Sequence, residues 1–334
     1  MSRRVVVRGK GGPEVLHVVE EDAPSPGRGA VRVRVHVAGV AFGDVMRRRG
    51  VLAPPREFTP GYDVVGEVEE HGAACPEGTP AVGERVAAFM RGPGFGGYAD
   101  RVCVAAVELV RVPDGVDDVT AVALGLNYIT AHQLLSRIAP ASAGDRVLVH
   151  GAAGGVGTAL LDVGRRRGVE LVGTASRGKH GILEARGCEP IDYRTQDFVE
   201  VLAGRPVDVA LDGIGGAHLR RSHATLAPDG TLVGFGVSGD LSRGLVGVAA
   251  GMSHWLALKL RPDRRTVRLY NITISRGASR ADVRRDWAEL LALGATGALA
   301  PTVAEVVPLA DVRRAHELVD GGSVIGKVVL RCAE

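Results

Sequence analysis

Two short stretches of this sequence hold residue types whose spacing suits a phosphate-bearing ligand. In RVLVHGAAGGVGTALLDVGRR, residues 146–166, a β-branched run feeds a glycine-rich turn and then an amphipathic helical pattern. That order places backbone N–H groups and a helix N-terminus against a pyrophosphate, whereas a lone glycine triplet would say little. Ala152 stands at the first glycine position; Gly154, Gly155 and Gly157, with Val156 between them, supply the close approach and the tight helix–sheet packing. A glycine turn that packs a helix and holds no ligand is the plainer alternative. The second stretch follows the next strand-like run, ELVGTA, about 20 residues on, where an acidic residue would hold the ribose 2′-hydroxyl of NAD. The sequence reads SRGKH there, so Ser176, Arg177 and Lys179 surround the place of a 2′-phosphate and point to NADPH through charge-assisted hydrogen bonds. A solvated basic pair is the alternative reading.

The elements that position these residues change character along the chain. Up to Val112 the pattern alternates, as in VRVRVHV (Val31 to Val37), with Gly/Pro turns such as APSPGRG and RGPGFGG, which predicts an all-β, barrel-like segment. From Asp117 or Asp118, each a candidate N-cap, the period turns helical to about Ile138, with a break near Gly125. Between Asp145 and Phe235 short apolar strands alternate with helical stretches, the mark of a doubly wound parallel sheet with right-handed crossovers. After Arg265 come VRLYNITI, a helix around Val283 to Leu293, strand VAEVVP, helix LADVRRAHELVD and strand VIGKVVL; this last segment is too small for its own core and is expected to rejoin the β segment.

Composition narrows the class. At 334 residues the chain is long enough for two cores, and 46% hydrophobic with 24% charged residues is an ordinary globular balance. A net charge of +3 without a dominant Lys/Arg block, and without interleaved aromatics, argues against a nucleic-acid platform. The runs Arg47 to Arg49 and Arg165 to Arg167 read as solvated helix faces. Cys75, Cys103, Cys188 and Cys332 have neither CxxC nor Cys/His spacing, so no structural zinc or disulfide framework is indicated and a reducing, cytoplasmic setting is expected. No signal peptide or membrane span is read; Leu245 to Leu260, broken by Ser253 and His254, is expected to be a buried or interface helix.

The motifs VRGKGGPEVL, AGVAFGDVMRRRG, FTPGYDVVGEV, GGYADRV, LNYITAHQLL, HGAAGGVGTALL, GTASRGKH, PIDYRTQDF and GKVVL together run nearly the whole length of the chain. In that order the sequence resembles the zinc-independent quinone oxidoreductase, zeta-crystallin and VAT-1-like branch of the medium-chain dehydrogenase/reductase superfamily. The resemblance implies an α/β fold: a GroES-like β-barrel catalytic domain over 1–122, a Rossmann NADPH-binding domain over 123–268, and a return segment, 269–334, that completes the first domain. It also implies that Thr130 lies near the nicotinamide, Tyr193 by the adenosine phosphate, and the turn Gly234, Phe235, Gly236 at the carboxamide. Lys327 corresponds to a lysine near the cofactor cleft, although a lysine capping a strand fits equally well. A homodimer is expected.

By the same resemblance Ala41, Gly43, Tyr62 and Leu126 stand where zinc-dependent relatives hold a cysteine, a hydroxyl relay, a histidine and a third ligand. None of them is a soft or imidazole ligand, so Lewis-acid polarisation of a carbonyl is not available. This favours hydride delivery to an already electrophilic α,β-unsaturated carbonyl compound or quinone. The catalytic candidates are Tyr62, as a donor to the enolate, and Asn127 in the same cleft; a packed tyrosine is the plainer account of Tyr62. Asp44 is expected to bond backbone near the active-site loop. Phe42, Leu52, Met90 and Phe95 would shape the pocket, and core packing explains Phe42, Met90 and Phe95 as well. Ala41 replaces the branch's usual Asn and Leu52 its usual Tyr, which strips polar groups from the pocket. A tailoring enzyme acting on an unusual intermediate, or a non-catalytic NADPH-binding or RNA-binding protein, are the alternatives.

Overall fold

A computed structural model describes residues 1–51, 56–92, 94–236, 244–273 and 279–333 of the chain, side chains of 244–249 excepted. The chain divides into two compact units, one formed by Met1–Ile129 with Ser279–Glu334 and the other by Thr130–Ala278.

In the first unit the alternating run Ala30–Val40 is the central strand. Its register brings Val33 opposite Val68 of Asp63–His71, while Arg101–Ala105 pairs along its first half. The sheet continues through Arg85–Phe89 to Leu109–Arg111 on one side. On the other side the C-terminal strand Lys327–Arg331 lies antiparallel to Ala30–Val40, Val328 facing Val40, and carries Val303–Pro308 beside it. A second sheet joins Ser2–Arg8 to Leu16–Glu21 and Glu57–Phe58. Alternation puts Val31, Val33 and Val35 fully inside, and Trp287 from the helix Arg280–Ala295 is buried with its Nε1–H donated to the Ala121 carbonyl at 3.2 Å. The helix Asp118–Ala123 starts at Asp117, whose side chain accepts from the Thr120 N–H, and the helical path breaks at Leu124 and Gly125 before Leu126–Gln133.

The second unit is built on six parallel strands in the spatial order Cys188–Asp192, Glu170–Ala175, Arg146–His150, Val207–Asp212, Leu226–Gly234, Thr266–Leu269. In chain order that is 3-2-1-4-5-6, the doubly wound dinucleotide-binding arrangement, whose ligand crevice lies at the carboxyl ends of the strands where the order reverses, between the first and fourth. Leu148, Val172, Ala210 and Leu232 form its core. The helix Gly244–Lys259 sends Leu258 into that core, with Trp255 packed against it, and leaves Met252 and Leu256 about half exposed. None of the described helices is long and apolar enough to cross a membrane. All four cysteines are free.

The arginine run Arg47–Arg49 does not form the solvated face expected of it. Arg48 is fully buried, its guanidinium bonded to Asp320 at 2.7 Å and to the Gly11 carbonyl at 3.2 Å, and only Arg49 is exposed. The carboxylate of Asp320, distant in sequence, satisfies a cation that local periodicity assigns to water. Arg165 to Arg167 are exposed, as their pattern suggests.

Candidate active site

In the first unit the reaction-centre candidates gather around Asp44, the third residue of the helix Phe42–Arg48. Its buried carboxylate accepts from the N–H groups of Ala41 (3.0 Å) and Gly61 (2.9 Å) and from the Tyr98 hydroxyl (2.9 Å). Asp44 thereby ties the helix start to the GYD segment that carries Tyr62. Burial pushes its carboxyl up to about 6 even though the three donors and the Lys327 charge pull it down.

Tyr62 is 7% exposed. Its ring stacks on Phe95 at 4.4 Å with planes 27° apart, and lies 6.2 Å from Phe89. A Cβ added at Gly43 would collide with the Tyr62 hydroxyl, so the small residue in the helix makes the room that the phenol fills. Burial, then the Asp44 charge, hold the phenol above its ordinary range, and the Arg47 guanidinium beside it works the other way. The phenol therefore keeps its proton at neutral pH and is a donor, not a base. Backbone bonds lace the Phe95 loop onto the Tyr62 segment: Met90 N–H to the Tyr62 carbonyl at 2.7 Å, Gly96 N–H to Thr59 at 2.9 Å and Tyr98 N–H to Pro60 at 2.9 Å. Met90 and Phe95 are buried and line a cavity of about 400 Å³ together with Phe89, Arg91 and Glu108; Phe42 is half-buried. Leu52 lies outside the described residues.

Asn127 is buried at the start of the helix Leu126–Gln133. The first N–H of that helix, on Leu126, donates to Asp63 at 2.8 Å, and the same carboxylate meets the Lys327 ammonium at 3.3 Å. Both members of the pair are at most 2% exposed, and Gly39 and Gly125 leave the space it occupies. Lys327 thus opens the last strand as the cation of a buried ion pair, a partnership that no local pattern announces.

The nucleotide-facing candidates belong to the second unit. Gly154 caps the helix Gly155–Arg167, with Val156 in its first turn. A Cβ on Gly157 would strike the Gly151 carbonyl oxygen, so the helix can approach the turn this closely only with glycine there. Ser176 follows the strand Glu170–Ala175 directly, Arg177 is exposed, and Lys179 is half-buried. Partial burial and the charge of Arg194 lower the Lys179 ammonium, which puts a third cation at this edge; Arg194 also lies over the ring of the exposed Tyr193 at 5.9 Å. Sequence reasoning passed over Arg194, although its place directly after Tyr193 in PIDYR was a usable signal. Thr130 is buried, and Gly234, Phe235 and Gly236 follow the fifth strand, Phe235 N–H donating to the Asp212 carbonyl at 2.9 Å.

Beneath the glycine turn lies a buried network that the sequence did not disclose. Asp212 accepts from Ser222 at 2.6 Å and from the N–H groups of Ile214 and Gly215 at 2.8 and 3.0 Å, and sits 2.7 Å from His218 Nδ1. His150, the residue before the turn, meets Thr174 Oγ1 through Nδ1 and Ser222 Oγ through Nε2, each at 3.1 Å. Burial brings the imidazole of His150 down to about 3, so it is neutral. His150, Asp212 and His218 are close enough to share an ion, but hydrogen bonds within the network already engage all three. The arrangement braces the turn.

A six-stranded dinucleotide-binding sheet and a β unit closed by the C-terminal strand define a two-unit nucleotide-dependent dehydrogenase architecture. Residues 27–114 match the alcohol dehydrogenase GroES-like domain family, and residues 187–330 the zinc-binding dehydrogenase family. The synaptic vesicle membrane protein VAT-1 homolog of Rattus norvegicus is 32% identical over 98% of this chain and 83% of its own. A 2-haloacrylate reductase of Burkholderia sp. is 32% identical over 99% of both. The solved structure of Escherichia coli quinone oxidoreductase complexed with NADPH superposes with a TM-score of 0.81 at 26% identity, covering 98% of this chain and 99% of that one. The chain belongs to the medium-chain dehydrogenase/reductase superfamily of oxidoreductases, among its quinone oxidoreductase, VAT-1 and 2-haloacrylate reductase homologues.

The family description names zinc, and the residues that the resemblance sets at the metal positions do not fit it. Ala41 and Leu126 have no donor atom in the side chain, Gly43 has no side chain, and Tyr62 offers a phenol that holds its proton. In the second unit the glycine turn before the helix Gly155–Arg167 could hold a pyrophosphate, and the cations Arg177, Lys179 and Arg194 that follow the next strands could hold a phosphate of a nicotinamide dinucleotide.

Proposed function

We propose that the protein is a zinc-independent reductase that takes hydride from NADPH and delivers it to an α,β-unsaturated carbonyl compound or a quinone. The observation that carries this reading is the phenol of Tyr62 packed into the space left by Gly43, with no ligating side chain at Ala41 or Leu126. Without a Lewis acid, the acceptor must already be electrophilic. The relatives named 2-haloacrylate reductase and quinone oxidoreductase, the latter solved with NADPH, support the same chemistry. When bound, NADPH supplies a hydride for the β carbon, and the displaced C=C electron pair moves to the carbonyl oxygen. Tyr62 donates a hydrogen bond to that oxygen, Asn127 is the second candidate donor, and solvent supplies the proton that completes the reduction. Thr130, Gly154, Gly155, Val156 and the Gly234–Gly236 turn would hold the cofactor, and Phe42, Leu52, Met90 and Phe95 would shape the acceptor pocket. Lys327, fixed to Asp63, holds the Asn127 helix in place.

The half-exposed Met252 and Leu256 of the helix Gly244–Lys259 suit contact with a second copy of the chain, and four free thiols suit the cytoplasm. NADPH oxidation against a panel of enones and quinones tests the reading. Turnover should be unchanged after chelation, with no stoichiometric zinc, in a preparation that scatters light as a dimer. Activity that disappears with zinc removal, or NADPH oxidation with no member of the panel, would overturn it.

Tyr62→Phe keeps the ring and removes the donor. Loss of one oxyanion-hole donor typically costs ~10²–10³ in kcat, but an enolate in an open cleft can be solvated, so a fall of roughly 10-fold is expected. Full kcat on the best enone, with normal NADPH affinity, would make Tyr62 a packing residue.

A further inference from the structure

Arg47 is set apart from the arginines around it. Its neighbours Arg48 and Arg49 both pair with Asp320, at 2.7 and 2.5 Å, whereas among the described residues no carboxylate is ion-paired with Arg47. Its Nε is buried and has no hydrogen-bond partner. The guanidinium lies 4.0 Å above the centre of the Phe95 ring, and Phe95 is in turn stacked on Tyr62. Phe95 holds this place at φ +91°, a left-handed conformation that a residue with a side chain adopts only when its surroundings enforce it. The enforcing contacts are its own N–H bond to the Gly92 carbonyl at 2.9 Å and that of Gly96 to Thr59. A strained aromatic platform therefore fixes a cation against the candidate donor, whose hydroxyl accepts a hydrogen bond from Arg47, and no carboxylate among the described residues is ion-paired with it.

A guanidinium stacked on a ring keeps its planar edge for a carboxylate, which it binds with two parallel charge-assisted hydrogen bonds. We propose that Arg47 is the specificity-determining residue of the site and selects acceptors that carry a carboxylate besides their conjugated carbonyl. The carboxylate meets the Arg47 edge while Tyr62 faces the carbonyl oxygen. This rests on the reductase reading above, from which its test is separable.

trans-4-Oxo-2-pentenoate and its methyl ester differ by one negative charge and form the discriminating pair. The ratio of kcat/KM for acid over ester should fall at least ~10-fold on Arg47→Met, the scale of a lost hydrogen bond to a charged group. Arg47→Lys, which keeps the charge without the planar edge, should retain part of the preference and serves if Arg47→Met folds poorly. A ratio that does not move in Arg47→Met, or in Arg47→Lys relative to a folded Arg47→Gln, overturns the inference. Should neither compound be reduced, the enone and quinone panel decides the reductase reading, and calorimetry on the NADPH-loaded protein decides this one: acid binding tighter than ester binding only while Arg47 is present upholds the anion site, and equal or absent binding removes it.

Discussion

Lys327→Met should destabilise the first unit by about 3–5 kcal/mol, the cost of leaving one member of a buried ion pair without the other. Asp63 is fully buried and would retain the Leu126 N–H at 2.8 Å as its single remaining polar contact among those described. The double variant Asp63→Asn/Lys327→Met should recover more than half of the loss, because an asparagine oxygen can still accept from Leu126 while no charge is left uncompensated. Urea denaturation of the wild type, the single and the double variant measures both quantities. A single variant as stable as the wild type would free Lys327 from its structural role and return it to the cofactor cleft, the place that resemblance alone gave it.

The second large effect concerns cofactor choice. NADPH should bind more tightly than NADH, and Lys179→Ala should erode the difference by roughly 1.5–3 kcal/mol, the range for a hydrogen bond to a charged group, or about 10–150-fold in affinity. Arg194, whose charge bears on Lys179, should show a smaller loss of the same sign on substitution by alanine. Fluorescence titration with both nucleotides decides it. Equal affinities in the wild-type protein would refute the assignment of Ser176, Arg177 and Lys179 and leave the basic pair solvated.

The order of elements was legible in the sequence because each signal is local. The alternation of Val31 to Val37, a cap at Asp117 or Asp118 with a break near Gly125, and the passage from strand to glycine turn to helix after Arg146 all lie within a few turns of backbone, and each element formed there, with Asp117 as the cap. Ala41, Gly43 and Leu126 carry no ligating atom in their side chains whatever the fold, so the expectation of zinc independence rests on the sequence, and chelation tests it. Residues whose meaning depends on distant partners were not legible. Arg48 looked solvated until Asp320 was brought to it, and Lys327 meets Asp63 across 264 residues only because the last strand pairs with Ala30–Val40 beside Asp63–His71. Asp212 and His150 join through the same kind of closure, between neighbouring parallel strands. Sequence determines which groups the chain carries and the period on which they recur. Burial and charge compensation are set by what lies within a few ångströms, and only the tertiary fold decided that Arg47 would stand on Phe95 beside Tyr62 without an ion-pair partner among the described residues while Arg48, one residue on, is neutralised inside the core.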